Sequence, residues 1–201
     1  MVGAVELIGL AASLSLLAGW RLYAVLLATS LAMRFGVIDL PQHLGGLDAL
    51  ASWWVIGAAG VGFVAEFFVD KLAWVDSLWD GLHTFIRPLG GALVALAVID
   101  IGDPGWQVAT ALIGGGATLL SHTAKAGTRA VVNASPEPFS NVVVSTAEDV
   151  STAGALWLAF AHPVTAGILA IVLLLVVAVL LTMSWRAVQR LRAWRRRRPV
   201  R

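Results

Sequence analysis

The chain has no cysteine, a single tyrosine and few charges: only 13% of its 201 residues are Asp, Glu, Lys or Arg. Without cysteine there can be no disulfide, thiol nucleophile or zinc–thiolate centre. The scarcity of charge excludes a soluble domain, whose surface needs about a quarter of its residues charged. Also missing are a hydrolase elbow, a Walker motif, a dinucleotide-binding fingerprint and an HExxH zinc helix. Gly114-Gly115-Gly116 is no phosphate loop, because no Lys-Ser/Thr follows it and its flanks are apolar. Close helix contact through small residues is the role expected of it. What remains is 59% hydrophobic, with a mean hydropathy of +0.84, and belongs in a bilayer.

The few charges are unevenly spread. Eight of the fourteen basic residues are arginines after position 185, whereas residues 1–185 hold six Lys/Arg against twelve Asp/Glu. A basic cluster directly after a hydrophobic span anchors topology and touches anionic lipid, so nucleic acid is not implied as a partner. Met1 to Leu17 carries Glu6 and no basic region. It is expected to start the first membrane helix rather than to be a cleaved leader.

A span needs about 20 apolar residues. Six candidates meet or approach that length: 5–33, 50–69, 88–102, 106–133, 141–161 and 164–185. The first is expected to be one continuous tilted helix, with a break near Gly19 as the alternative. Residues 72–87 are too polar to span. Trp74, Leu78, Leu82 and Phe85 recur there at helical spacing, which predicts an amphipathic or re-entrant helix. Placing the N-terminus in the cytoplasm puts Lys71, Arg87, Lys125 and the Arg tail inside and only Arg34 outside. Both termini are then cytoplasmic.

A pattern occurs twice. Gly19-Trp20-Arg21, Ala65-Glu66 and Pro88-Leu89-Gly90-Gly91 are followed by Gly127-Thr128-Arg129, Ala147-Glu148 and Pro163-Val164-Thr165-Ala166-Gly167. With three spans per half, the second copy enters the membrane in the opposite sense. The expected fold class is an all-α polytopic membrane protein of about six transmembrane segments. It forms one membrane domain, 1–185, with repeat one at 5–102 and repeat two at 106–185, followed by a basic cytoplasmic tail, 186–201.

Charge inside a membrane segment is expensive and marks function by default. Arg21, Glu66, Arg129 and Glu148 are the repeat-related charges. Thr118, His122, Lys125, Arg129 and Asn133 fall on one helix stripe, with Glu66, Asp70, Glu148 and Asp149 as the available counter-charges. These define a candidate substrate or ion site of Arg21, Glu66, Asp70, Lys125, Arg129, Asn133, Glu148 and Asp149. A purely structural salt-bridge network is the alternative reading. Asp76, Asp80, His83 and Arg87, at spacings of four, three and four, share another face and could line a mouth or hold a divalent cation. Their plain alternative is a water-facing stripe. Between Ser135 and Asn141 two prolines break the helix, and Ser140 or Asn141 could cap the next one, leaving either a simple turn or a seat for an anion.

The motifs WVDSLWD (Trp74–Asp80), HTFIRP (His83–Pro88), HTAKAGTR (His122–Arg129), SPEPFSN (Ser135–Asn141) and Glu148-Asp149 resemble a family of small bacterial integral-membrane proteins, a domain of unknown function. The resemblance runs to about residue 180. It implies a protein of the bacterial inner membrane and carries no activity, substrate or cofactor with it.

The function expected from the residues is transport of, or a channel for, a small anionic or proton-coupled solute. A non-transporting scaffold or lipid-interacting protein is the rival. A metal-dependent enzyme on a lipid headgroup, resting on Asp76, Asp80 and His83, is third. No cofactor is implied. The expected partners are the bilayer, anionic lipid at the tail and a small solute or ion, and a homo-oligomer is compatible with the sequence.

Overall fold

The structure is a computed structural model, and it describes residues 3–133 and 138–196. Among the described residues there is no strand. The elements are α1 (Ala4–Trp20), α2 (Leu22–Arg34), a 3₁₀ helix (Gly45–Ala51), α3 (Trp53–Val69), α4 (Ala73–Val98), α5 (Pro104–Asn133), α6 (Pro138–Ala161) and α7 (Pro163–Arg196). Proline opens α5, α6 and α7, where its missing N–H costs nothing and its fixed φ suits the first turn. Ser52 caps α3 by accepting from Val55 N–H at 3.3 Å, and Asp103 Oδ1 accepts from Trp106 N–H at 3.0 Å at the start of α5. The Asp100 carboxylate accepts from the backbone N–H groups of Gln42 and His43 at 2.6 and 2.9 Å, which ties the loop after α2 to the end of α4.

Two helices, Trp74–Val98 and Pro163–Met183, are long and apolar enough to cross a membrane. The 3₁₀ helix and α3, bent by 57° across Ser52, make a third if taken as one span. The chain is thus all-helical with two to three helices able to cross a bilayer.

α1 lies at the centre, packed against α4, α5, α6 and α7. It is apolar around its whole circumference, and Leu14 and Ala18 are completely buried. Small residues permit the close crossings. A Cβ on Gly167 of α7 would lie 2.5 Å from Gly9 Cα of α1, backbone against backbone. Within the Gly114–Gly116 run, a Cβ on Gly114 or Gly115 would lie 3.0 or 2.9 Å from the carbonyl of Gly91 or Pro88 on α4. The role expected of the run is therefore seen at two of its three positions. Gly167→Ala should destabilise by about 1 to 3 kcal/mol, because backbone atoms cannot rotate away. Gly116→Ala, which meets nothing within 4 Å, should be neutral or gain up to about 1 kcal/mol from helix propensity. Thermal unfolding of the two variants in the same detergent measures the difference.

Two expectations are corrected here. The first segment is not continuous: α1 and α2 are separated at Arg21, with φ −140° and ψ 79°, two residues after the glycine considered as the breaking point. Residues 72–87 are not a separate amphipathic or re-entrant helix either. From Ala73 on they are the first part of α4, which runs through Pro88 to Val98. Its polar stripe faces inward, with Asp76, Asp80, His83 and Arg87 all buried, while Trp74, Leu78, Leu82, Phe85 and Leu89 are exposed. The reason is the solvent. A helix whose outer side meets hydrocarbon must turn its charges toward protein, the reverse of a helix at a water surface.

Candidate functional site

The break at Arg21 organises a buried ionic cluster. A broken helix leaves carbonyls free at the end of α1 and N–H groups free at the start of α2, and each needs a partner. The Gly19 and Trp20 carbonyls accept from Arg87 Nη1 at 3.2 Å and Lys125 Nζ at 3.1 Å. Tyr23 N–H donates to Glu66 Oε2 at 3.3 Å. Cations thus meet the negative end of one half-helix and a carboxylate meets the positive end of the other.

Arg21 itself reaches Asp70 at 2.8 Å and Asp149 at 2.7 Å, and donates to the Glu66 and Ser145 carbonyls at 3.4 and 3.3 Å. Asp70 Oδ2 is the hub. It is shared by Arg21 at 2.8 Å, Lys125 at 2.8 Å and Arg129 at 3.5 Å. Arg129 also binds Glu148 at 2.7 Å and donates to Asn141 Oδ1 at 2.7 Å, while Asn141 Nδ2 donates to the Asp70 carbonyl at 3.2 Å. Both ends of the amide are used, so its orientation is determined.

Arg87 joins Glu66 at 2.9 Å to Asp80 at 3.1 Å and donates to His122 Nδ1 at 2.6 Å. A guanidinium cannot accept, so His122 Nδ1 is unprotonated. The proton is then on Nε2, which lies 3.1 Å from both the Asp80 carbonyl and Thr84 Oγ1. The same logic applies to His83. Its Nδ1 lies 2.8 Å from the Trp79 carbonyl and must donate, leaving Nε2 to accept from the Tyr23 hydroxyl at 3.2 Å. Trp79 stacks on the His83 ring with centroids 4.2 Å apart.

Arg21, Lys71, Arg87, Lys125 and Arg129 therefore face Glu66, Asp70, Asp80, Glu148 and Asp149, with Asp76 buried close enough to Arg129 to act on its charge. Attraction between charges is several-fold stronger at this depth than in water, but each group has also lost its hydration.

Most of the cluster is sealed. Its accessible edge is the pair Asp149 and Lys71, whose side chains are 20% and 23% exposed and lie 3.1 Å apart. Arg21 and Asp149 form the charged end of a groove of about 320 Å³ between α2, α3 and α6, whose walls are Leu27, Leu31, Phe63, Phe67 and Leu156.

Of the residues singled out in the sequence, Arg21, Glu66, Asp70, Lys125, Arg129, Glu148 and Asp149 all meet in this cluster. The side chain of Asn133 lies outside the described residues. Asp80 and Arg87 belong to the same cluster, so the surface mouth imagined for them is replaced by a buried position. Among the described residues no three His, Asp or Glu side chains are placed to share a metal ion; Asp80 Oδ1 binds Arg87, and the His83 ring binds the Trp79 carbonyl and the Tyr23 hydroxyl. Residues 134–137 of the proline-rich break lie outside the described residues. Asn141 sits inside the first turn of α6, serving Arg129 rather than capping. His122, Asn141 and Lys71 were not read as site residues. His122 stood on the Lys125 and Arg129 stripe, which was the signal for it, whereas Asn141 and Lys71 are tied into the cluster through Asp70 and Asp149, which lie 71 and 78 residues away.

Comparison with known proteins yields one finding. The family model described as Domain of unknown function (DUF4126) matches residues 8–183. No curated protein and no solved structure matches the chain. Since the match covers most of its length, the chain belongs to the DUF4126 family.

Proposed function

We propose that this member of the DUF4126 family is a proton-coupled transporter of a small charged solute. In this reading α1 with α2, the 3₁₀ helix with α3, and α4 to α7 make six crossings as two inverted three-helix halves. The protein sits in the bacterial inner membrane with both termini in the cytoplasm, an orientation supported by the Arg-rich end of the chain. The observation that carries the proposal is the discontinuous first helix, whose free carbonyls and N–H group are held by ionisable side chains. Broken helices at membrane depth are tolerated where they are buried in protein or line a water-filled cavity, and in the second case they put helix-end charge within reach of a solute.

Glu148 is the group to alter. Its carboxylate is 10% exposed, and Arg129 keeps Asp70 and Asn141 when Glu148 is lost. In proteoliposomes holding a pH-sensitive dye, the unmodified protein is expected to couple movement of a charged solute to proton flux. Glu148→Gln should fold normally and lose at least tenfold of that coupled flux. Flux unchanged in the variant would sink the proposal.

One observation favours a rival. The buried charges are densely paired with one another, which is also what a rigid scaffold would require. A scaffold predicts no proton flux from any variant and an effect of the charges on stability alone.

A further inference from the structure

The groove between α2, α3 and α6 ends on chemistry that selects one sign of charge. Both terminal nitrogens of Arg21 are taken, by Asp70 and by Asp149, and its side chain is 2% exposed. Asp149 is ten times more exposed at 20%. An anion arriving along the groove would meet the carboxylate first.

The neighbourhood of Asp149 is already arranged around a cation. Lys71 Nζ lies 3.1 Å from Asp149 Oδ2 and 3.3 Å from the ring centroid of Phe67, with the Phe67 carbonyl at 3.1 Å and Ser145 Oγ at 3.4 Å. A carboxylate and an aromatic face are the recognition set for an organic ammonium. Here the protein's own ammonium fills it. Lys71, just past the end of α3, has a side chain 23% exposed against 2% or less for Arg21, Arg87, Lys125 and Arg129, so it is the cation of the cluster that a ligand can displace into solvent. Phe67 and Asp149 also line the groove, so a ligand lying in it reaches the same carboxylate and the same ring.

We infer that this groove binds lipophilic organic cations, with Asp149 as counter-ion, Phe67 and Phe63 as aromatic wall, and Lys71 as the built-in competitor that leaves when the ligand arrives. The apolar walls take the hydrophobic body and the charged end takes the cationic centre, which limits the ligand to molecules with both features. The inference rests on the transport reading for its purpose, since it names the solute class, but not for its chemistry.

The test uses tetraphenylphosphonium, a permanently charged cation, and tetraphenylborate, an anion of the same shape. Each is titrated calorimetrically into the purified full-length chain, and the phosphonium is then followed into proteoliposomes. Saturable phosphonium binding is expected, weakened at least tenfold by Asp149→Asn and tightened several-fold by Lys71→Gln, with tetraphenylborate failing to compete. Lys71→Gln alters the most exposed cation of the cluster and so remains informative even if Asp149→Asn compromises folding. Unchanged or weaker binding in Lys71→Gln, or preference for tetraphenylborate, would overturn the inference. Binding with the expected variant pattern but no uptake would leave the site standing and remove the transport reading. Proton-coupled flux in a protein that does not bind the phosphonium would do the reverse.

Discussion

Arg87→Met is expected to cost about 3 to 5 kcal/mol of stability, among the largest effects of any single substitution in this chain. The guanidinium is completely buried and serves Glu66, Asp80, the free Gly19 carbonyl and His122 at once. Its removal strands Glu66, which is itself completely buried, and uncaps the end of α1. Glu66→Gln should be milder, because the amide oxygen can still accept from Tyr23 N–H and Arg87 keeps Asp80. The double variant Arg87→Met with Glu66→Gln should recover part of the loss, since no unpaired Glu66 charge is left behind. Equilibrium unfolding in a single lipid or detergent system measures all three. A double variant as unstable as both single losses added together would show that the two residues do not act as a pair.

Asp70→Asn is the second. One carboxylate oxygen is shared by Arg21, Lys125 and Arg129, so its neutralisation leaves three buried cations with less than their required counter-charge. A loss of about 3 kcal/mol or more is expected from the same desolvation argument. Asp149→Asn makes the contrast. It too touches Arg21, but it lies at the groove edge with a partly exposed lysine as its other partner, and pairs of that kind contribute about 1 kcal/mol or less. The two substitutions make the same chemical change in the same cluster. Comparable destabilisation by both would mean that burial does not set the energetics and that the groove edge is as dry as the centre.

Much of the candidate site was legible in the sequence. Arg21, Glu66, Asp70, Lys125, Arg129, Glu148 and Asp149 stood out because each is a charge within or beside an apolar run, where an unpaired charge cannot persist. That argument identifies members of a cluster without saying who pairs with whom. The repeat suggested Arg21 with Glu66 and Arg129 with Glu148. The second pair forms, but Glu66 takes Arg87 as its side-chain partner, and Arg21 bridges to Asp70 and Asp149. For the metal reading of Asp76, Asp80 and His83, no three ligands are placed together among the described residues. Helical spacing put them on one face, but Arg87, one turn further along that face, claimed Asp80 first.

Taken by itself, the sequence determined that the chain is helical, that it is apolar enough for helices to cross a bilayer, and that its few charges must find one another, because an isolated charge in apolar surroundings is costly. Only the tertiary structure decided where the first helix breaks and which way α4 faces. A break at Arg21 is affordable because Arg87, Lys125 and Glu66, which are 68, 105 and 43 residues from the groups they hold, supply the missing hydrogen bonds. Helical periodicity likewise put Asp76, Asp80, His83 and Arg87 on one side of α4. The direction of that side depended on what surrounds the helix: hydrocarbon outside, and the counter-charges of α3 and α5 within.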